Sequence, residues 1–485
     1  MELNNLVPLL VVIIVVLNIL LAVVVIFFER RDIGSTWAWL MVLLFLPIIG
    51  FFVYVFLGRQ LKRKNFYKLS DEERSYLQSS VNEQLEQIRN KELQKNNRML
   101  QKYSQLIKMN LQSSNALVTQ DNEVVIFHDG NDKFDALFND IRQAKKEINI
   151  EYYIIQRDSL GEKLRDELTK KAKEGVKVRI LYDEIGSKKM TPSFFKELLS
   201  YNGEVEVFFP SFFKLINFRV NNRNHRKLCI IDGEIAYIGG FNIGNEYLGK
   251  DEKFGYWRDT HFRLKGGAVN HIQGRFILDW NQARKQKKVD RRDFSFQKGL
   301  HDGSSIAQII ASGPNSKIEH LKNMYVKLIM SAKKSVYIQT PYFIPDTSFM
   351  DACKIALLSG VDVRIMIPNK PDHPFVYWAS WAHAGELLRY GAKILLYENG
   401  FLHAKTIVVD EEVASVGTTN IDTRSFRLNF EVNAIVYDEQ ISAQLQNLFL
   451  KDSEASSKLT LERYKERSTI IKCKEAVSRL LSPIL

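Results

Sequence analysis

Two short stretches of the chain repeat one arrangement of nucleophile, cation and amide. The first reads His225-Arg226-Lys227-Leu228-Cys229-Ile230-Ile231-Asp232 and continues to Gly239 and Asn242. The second reads His403-Ala404-Lys405-Thr406-Ile407-Val408-Val409-Asp410 and continues to Gly417 and Asn420. Every spacing from histidine to asparagine is the same in both copies. In an extended strand, positions i and i+2 share a face, so each copy projects an imidazole and an ammonium together while the apolar residues behind them enter a sheet. Two histidines, two lysines and two asparagines, without a carboxylate cluster suited to a metal, suit phosphate chemistry that can proceed without a metal ion or cofactor. One neutral imidazole attacks phosphorus and becomes a covalent phosphohistidine. The other, protonated, donates to the departing alkoxide and then takes the proton of the incoming hydroxyl. Lys227, Lys405, Asn242 and Asn420 are the expected donors to the non-bridging oxygens.

An imidazole needs an orienting partner on its other nitrogen. Asp259, in Trp257-Arg258-Asp259, and Glu431, in Asn429-Phe430-Glu431, occupy comparable places on the strand after each motif and are expected in that role. Asp232 and Asp410 carry two readings: members of the catalytic set, or a turn or ion pair at a strand end, some 20 Å or more along an extended chain. Gly239, Gly240 and Gly417 are expected to permit close backbone approach.

The elements that position these residues are also written twice. Ala144-Lys145-Lys146 leads into an apolar strand at 148–155, and Ala332-Lys333-Lys334 into one at 336–344. Each is followed by a helical stretch, then by Gly175-Val176-Lys177-Val178-Arg179-Ile180 or Gly360-Val361-Asp362-Val363-Arg364-Ile365. A second helix and a further strand follow, at 203–208 and 391–397. Strands alternating with helices predict an α/β fold: two pseudo-symmetric sandwich domains, each with a largely parallel sheet covered on both faces, sharing one active site. The expected domains are 118–295 and 296–485, the second ending in a basic helix at 464–481.

Ahead of them, residues 6–28 carry no charge and are long enough to cross a hydrocarbon layer of ~30 Å. A second uncharged stretch covers 37–58, in which Pro47 and Gly50 can break a span. Together they predict a two-helix transmembrane hairpin over 1–58. Only Arg30 and Arg31 lie in the short loop between them, whereas Arg59, Lys62, Arg63, Lys64 and Lys68 follow the second stretch. That asymmetry predicts an outward-facing loop and cytoplasmic catalytic domains. Residues 59–117, rich in Gln, Asn, Lys and Glu, read as a polar, mostly solvated helical connector. The net charge of +12 over 485 residues calls for an anionic partner. The membrane segments select acidic phospholipid over nucleic acid. Phe208, Phe209, Phe212, Phe213, Leu215, Ile216 and Phe218, interleaved with Lys214 and Arg219, read either as an interfacial loop beside the site or as packed core. Three scattered cysteines exclude a disulfide framework.

The paired motif resembles that of the phospholipase D superfamily, His-x-Lys-x4-Asp twice in one chain. The flanking stretches resemble bacterial cardiolipin synthases: Glu29-Arg30-Arg31-Asp32, Asn221 to Lys227, Gly239-Gly240-Phe241-Asn242-Ile243-Gly244, Thr340-Pro341-Tyr342-Phe343-Ile344-Pro345-Asp346 and Arg424-Ser425-Phe426-Arg427-Leu428-Asn429-Phe430-Glu431. The resemblance implies transfer of a phosphatidyl group from one phosphatidylglycerol to another, giving cardiolipin and glycerol. It assigns catalysis to His225, Lys227, Asp232, His403, Lys405 and Asp410, with His225 as nucleophile and His403 as acid and base. Thr419 departs from the family pattern, where a small apolar residue is commoner. Competing functions are hydrolysis to phosphatidic acid by a membrane-anchored phospholipase D, and a non-catalytic scaffold for anionic lipid. The sequence leaves the oligomeric state open.

Overall fold

Runs of Ile, Val and Leu pair in the register that the repeats demand. The computed structural model of the chain describes residues 3–29, 33–58, 66–67, 69–93, 95, 97–210, 221–284 and 288–481. In the first half, strand Glu147–Tyr152 lies between Lys177–Asp183, parallel to it, and Lys227–Ile231, antiparallel to it. In the second, Ser335–Gln339 lies in the same sense between Asp362–Pro368 and Thr406–Val409. The strands that carry the lysine motifs are therefore central and fully buried, which fixes where their first residues emerge.

The two halves join edge to edge in one fifteen-stranded sheet. Val118–Phe127 and Ser305–Ser312 pair antiparallel at its centre, and the strand order runs outward from this seam in the same sequence on both sides. Ser456–Leu459 adds one further edge strand to the second half. Contrary to the sequence expectation, the sheet is mixed. Strands run parallel only across the two strand–helix–strand crossovers of each half, and the motif strands and those up to the seam are antiparallel. The reason lies after each motif, where tight turns at Gly233 and at Asp410-Glu411, all with positive φ, send the chain straight back. One hydrophobic core is common to the halves: Leu228, Ile238, Val408 and Val416 pack in it with helices Gly267–Ala283 and Glu439–Glu454.

The connector is solvated only in its first part: in helix Asp71–Arg89 Val81 alone is buried, but the residues that follow dock on the core. Leu100, Tyr103, Leu106, Ile107 and Leu111 are buried in the core of the second half. Asn110 donates to Gln308 at 3.1 Å, and the Gln84 amide exchanges two hydrogen bonds with the Val118 backbone. Polar composition concealed this because the buried face is one stripe of short helices, Arg98–Lys102 and Ser104–Ser114. Just after the apolar segments, Phe66 stacks on Phe430, with ring centroids 5.2 Å apart, and Tyr67 donates to Asp279 at 2.6 Å.

In the N-terminal region the two apolar stretches differ in structure. Among the described residues one helix, at Pro8–Phe28, is long and apolar enough to cross a membrane. The second stretch is divided into two shorter helices, Ile33–Phe45 and Pro47–Val53, because Pro47 cannot continue the first and the chain reverses at Leu46. Trp39 and Tyr54, which an unbroken helix would hold ~22 Å apart, meet edge to face at 5.4 Å.

Candidate active site

Each motif strand begins at or just beyond its lysine, and the residues ahead of it leave their own half to pair with the other. The His225 N–H donates to the Phe430 carbonyl at 3.0 Å, and the Phe430 N–H to the Arg223 carbonyl at 2.8 Å. Reciprocally, the His403 N–H donates to the Arg258 carbonyl at 2.7 Å, and the Phe401 N–H to the Tyr256 carbonyl at 2.8 Å. These crossed parallel pairings bring each histidine against the carboxylate of the opposite half. His225 Nδ1 lies 2.9 and 3.0 Å from the two Glu431 oxygens, and His403 Nδ1 lies 2.6 Å from Asp259 Oδ2. Asp259 and Glu431 thus contact the histidines, and each does so across the seam. Neither half alone contains a complete pair.

A carboxylate on Nδ1 fixes the ring and its tautomer, leaving Nε2 as the atom that attacks or exchanges protons. Burial pushes both imidazoles down to about 4: the Glu431 charge opposes this at His225, and the Lys405 ammonium adds to it at His403. Both rings are therefore neutral near pH 7. Burial pushes Lys227 down to about 7, against the pull of Glu431, and Lys405 down to about 8, against that of Asp259. Each lysine Nζ donates to the carbonyl of its own histidine at 2.5 Å. An anionic phosphodiester arriving here meets two ammoniums in a buried setting and favours protonation of one imidazole, as any nearby negative charge does.

The asparagines differ. Asn242 accepts from the Ile154 N–H at 3.2 Å and donates to the Tyr247 hydroxyl at 3.0 Å, whereas Asn420 Oδ1 is buried with no hydrogen-bond partner. Gly240 is required by close approach, since a Cβ there would lie 1.9 Å from Asp259 Oδ1. At Gly417 it would lie 2.3 Å from the Asn433 side chain.

Asp232 and Asp410 take the second of their two expected places, at a strand end. The Asp232 carboxylate accepts from the backbone N–H groups of Lys145, Lys146 and Glu147 at 2.7–2.9 Å. Asp410 does the same for Lys333, Lys334 and Ser335 at 2.7–2.9 Å. Both sit at the far end of the motif strand, with φ of 55° and 56°, and fasten the start of the neighbouring strand. Of the aromatic run, Phe208 and Phe209 are buried against Phe430 and are core, while Phe212, Phe213, Lys214, Leu215, Ile216, Phe218 and Arg219 lie outside the described residues.

Sequence reasoning missed several contacts. Thr418 donates to Glu431 Oε2 at 2.5 Å, and Asn429 donates to Glu431 Oε1 at 3.3 Å. Tyr153 packs edge to face on His225, with centroids 4.9 Å apart, and Trp257 packs on His403 at 5.1 Å. Thr418 was detectable as a polar replacement of a repeat glycine, opposite Gly240. The aromatics differ between the copies and left no repeated signal. Thr419 has a local explanation: its hydroxyl donates to Asn433 at 2.8 Å.

Two facing histidine–carboxylate pairs with a lysine each, built from duplicated halves, define a phosphodiester-transfer class of site. Comparison with known proteins narrows the class. The family model described as "Cardiolipin synthase, PLD-like domain" matches residues 137–257 and 325–453, and one described as "Phospholipase_D-nuclease N-terminal" matches 16–59. The chain is 54% identical over 457 residues to the major cardiolipin synthase of Bacillus subtilis, covering 94% of this chain and 95% of that protein. It is 52% identical over 457 residues to a cardiolipin synthase of Staphylococcus aureus, covering 94% and 92%. A phosphatidylserine synthase structure from Haemophilus influenzae shares the fold, with a TM-score of 0.60 at 16% identity over 79% of this chain and 100% of that one. The chain belongs to the cardiolipin synthase family of the phospholipase D superfamily, a family of phosphatidyltransferases.

Proposed function

We propose that the protein condenses two phosphatidylglycerol molecules into cardiolipin and glycerol. His225 Nε2 attacks the phosphorus of the first lipid, forming an N–P bond as the P–O bond to glycerol breaks. His403, protonated, gives its proton to that glycerol oxygen. A glycerol hydroxyl of the second lipid then enters, His403 takes its proton, and the new P–O bond forms as the N–P bond breaks. Lys227, Lys405 and the two asparagines stabilise charge on the non-bridging oxygens, Asp259 and Glu431 hold the rings, and no step calls for a metal. The crossed pairing of both histidines with carboxylates of the opposite half is the observation that carries this reading. The relatives' names and the apolar helix Pro8–Phe28 support a lipid substrate met at a membrane, and the basic residues that follow the apolar segments support catalytic halves on the cytoplasmic side.

The test is mass spectrometry of lipid and water-soluble products after the membrane-embedded protein meets phosphatidylglycerol as sole lipid. Cardiolipin with equimolar glycerol is expected. Phosphatidic acid with glycerol would replace transfer by hydrolysis, and absence of any product would refute phosphatidylglycerol as donor.

A further inference from the structure

The N-terminal region ties a buried polar side chain of its first helix to the backbone at the break in the second apolar stretch. Asn18 sits mid-way along the first helix, is 2% exposed, and donates from Nδ2 to the Pro47 carbonyl at 2.6 Å. Pro47 starts the returning helix just after the chain reversal at Leu46. At the other end, the Tyr54 hydroxyl donates to Glu29 at 3.0 Å, so the returning helix comes back to the level at which the first one ends. Gly50 makes the fold-back possible, since a Cβ there would lie 2.3 Å from the Val42 carbonyl.

The depth follows from helix geometry. Asn18 and Glu29 are eleven residues apart, which puts the Leu46 turn ~16 Å below the Glu29 level, about half of a ~30 Å hydrocarbon layer. A chain that reverses inside lipid must satisfy its exposed backbone within protein, and Asn18 meets that demand at Pro47. Trp37, Leu44, Phe45, Ile49 and Phe52 remain exposed on the outer sides of the two short helices. A surface of this chemistry is matched by acyl chains and not by water.

Resting on the membrane reading above, we propose that residues 33–58 form a re-entrant helical hairpin, so that the chain crosses the bilayer once, through Pro8–Phe28. The hairpin enters and leaves through the leaflet on which the catalytic halves sit. The N-terminus lies on the opposite side from them. The charge distribution agrees. With two crossings, Arg30 and Arg31 oppose Arg59, Lys62, Arg63, Lys64 and Lys68 across the membrane; with one, all seven share the catalytic side and residues 1–5 hold no Lys or Arg.

The proposal is tested with single-cysteine reporters in the full chain. The exposed Cys473 is first replaced by serine, with Cys229 and Cys353 buried. Asn4→Cys and Ile33→Cys are each labelled in intact cells with a membrane-impermeant maleimide, before and after permeabilisation, with native Cys473 as the reporter for the catalytic side. One crossing predicts that Asn4→Cys labels in intact cells, while Ile33→Cys and Cys473 label only after permeabilisation. Labelling of Ile33→Cys in intact cells, with Asn4→Cys protected alongside Cys473, would establish two crossings and overturn the proposal while leaving membrane attachment intact. Recovery of the protein in the soluble fraction would overturn both.

Discussion

The two halves differ most where they are expected to match, at the carboxylates that hold the histidines. Glu431 is bound by His225, Thr418 and Asn429; burial acts to raise its carboxyl, but the His225 contact, the Lys227 ammonium and the Thr418 hydroxyl hold it below the usual range. Asp259 makes a shorter contact with His403, 2.6 Å, and takes its other support from the Thr260 N–H at 2.7 Å, with Gly240 providing only space. The Glu431 carboxylate is thus shared among three side chains, His225, Thr418 and Asn429, whereas Asp259 meets one side chain, His403, and one backbone N–H. A ring that alternates between acid and base gains from a short charge-assisted bond. A ring that must present a fixed lone pair gains from a carboxylate braced on several sides. The proposal gives the braced ring, His225, the nucleophile's role and His403 the proton carrier's.

Substitutions can break or sharpen this comparison. The largest expected effect is that of His225→Ala or His403→Ala, each of which should reduce phosphatidyl transfer by a factor on the order of 10⁴ or more, since residues acting as a unit are lost together. Equal membrane content of the variants, checked by immunoblot, makes the loss chemical. Asp259→Asn and Glu431→Gln should come next, at roughly 10²–10⁴, by disturbing ring tautomer and orientation. The Asp259 change should act on proton transfer to the leaving glycerol, so a substrate with a better leaving group should rescue it more than it rescues Glu431→Gln. Equal rescue would remove the functional asymmetry.

Lys227→Met and Lys405→Met should each lower kcat about 10²–10³-fold, the loss seen when one transition-state donor is deleted. The same lysines set a pH dependence. The histidines are neutral above about 4, and the ammoniums are charged below about 7 for Lys227 and about 8 for Lys405. As pH rises through 7–8 the site loses positive charge, so kcat/KM should fall on that side; below about 4 protonation of both rings should abolish it. A flat profile from pH 7 to 9 would contradict the placement of the lysines. Asp232→Asn should leave kcat nearly unchanged and lower stability by about 1.5–3 kcal/mol, because charged acceptors of backbone N–H groups are lost at a strand junction. The smallest effect is expected from Thr418→Val, a few-fold in kcat, with no counterpart at Gly240.

The duplicated motif made both histidines, both lysines and the asparagines legible, because identical spacing in two copies is a strong constraint. The strands at 177–183 and 362–368 were visible in matched apolar runs for the same reason. The crossing of the carboxylates was not, since sequence order places Asp259 after the first motif and Glu431 after the second while the pairing depends on strand segments exchanged over the seam. Antiparallel strands were misjudged because their turns rest on positive-φ residues such as Asp232 and Asp410, which the motif presents as chemistry. Pro47 and Gly50 were recognisable as breakers, but the reversal needed Asn18, an isolated polar residue in an apolar run.

The central claim is that two crossed pairs form one site and that a single histidine carries the intermediate. It is tested most directly by rapid acid-free quenching of the membrane-embedded protein during turnover of phosphatidylglycerol, followed by mass spectrometry of its peptides. The account predicts at most one phosphatidyl group per chain, on the peptide bearing His225. Modification of His225 and His403 in the same chain would contradict it.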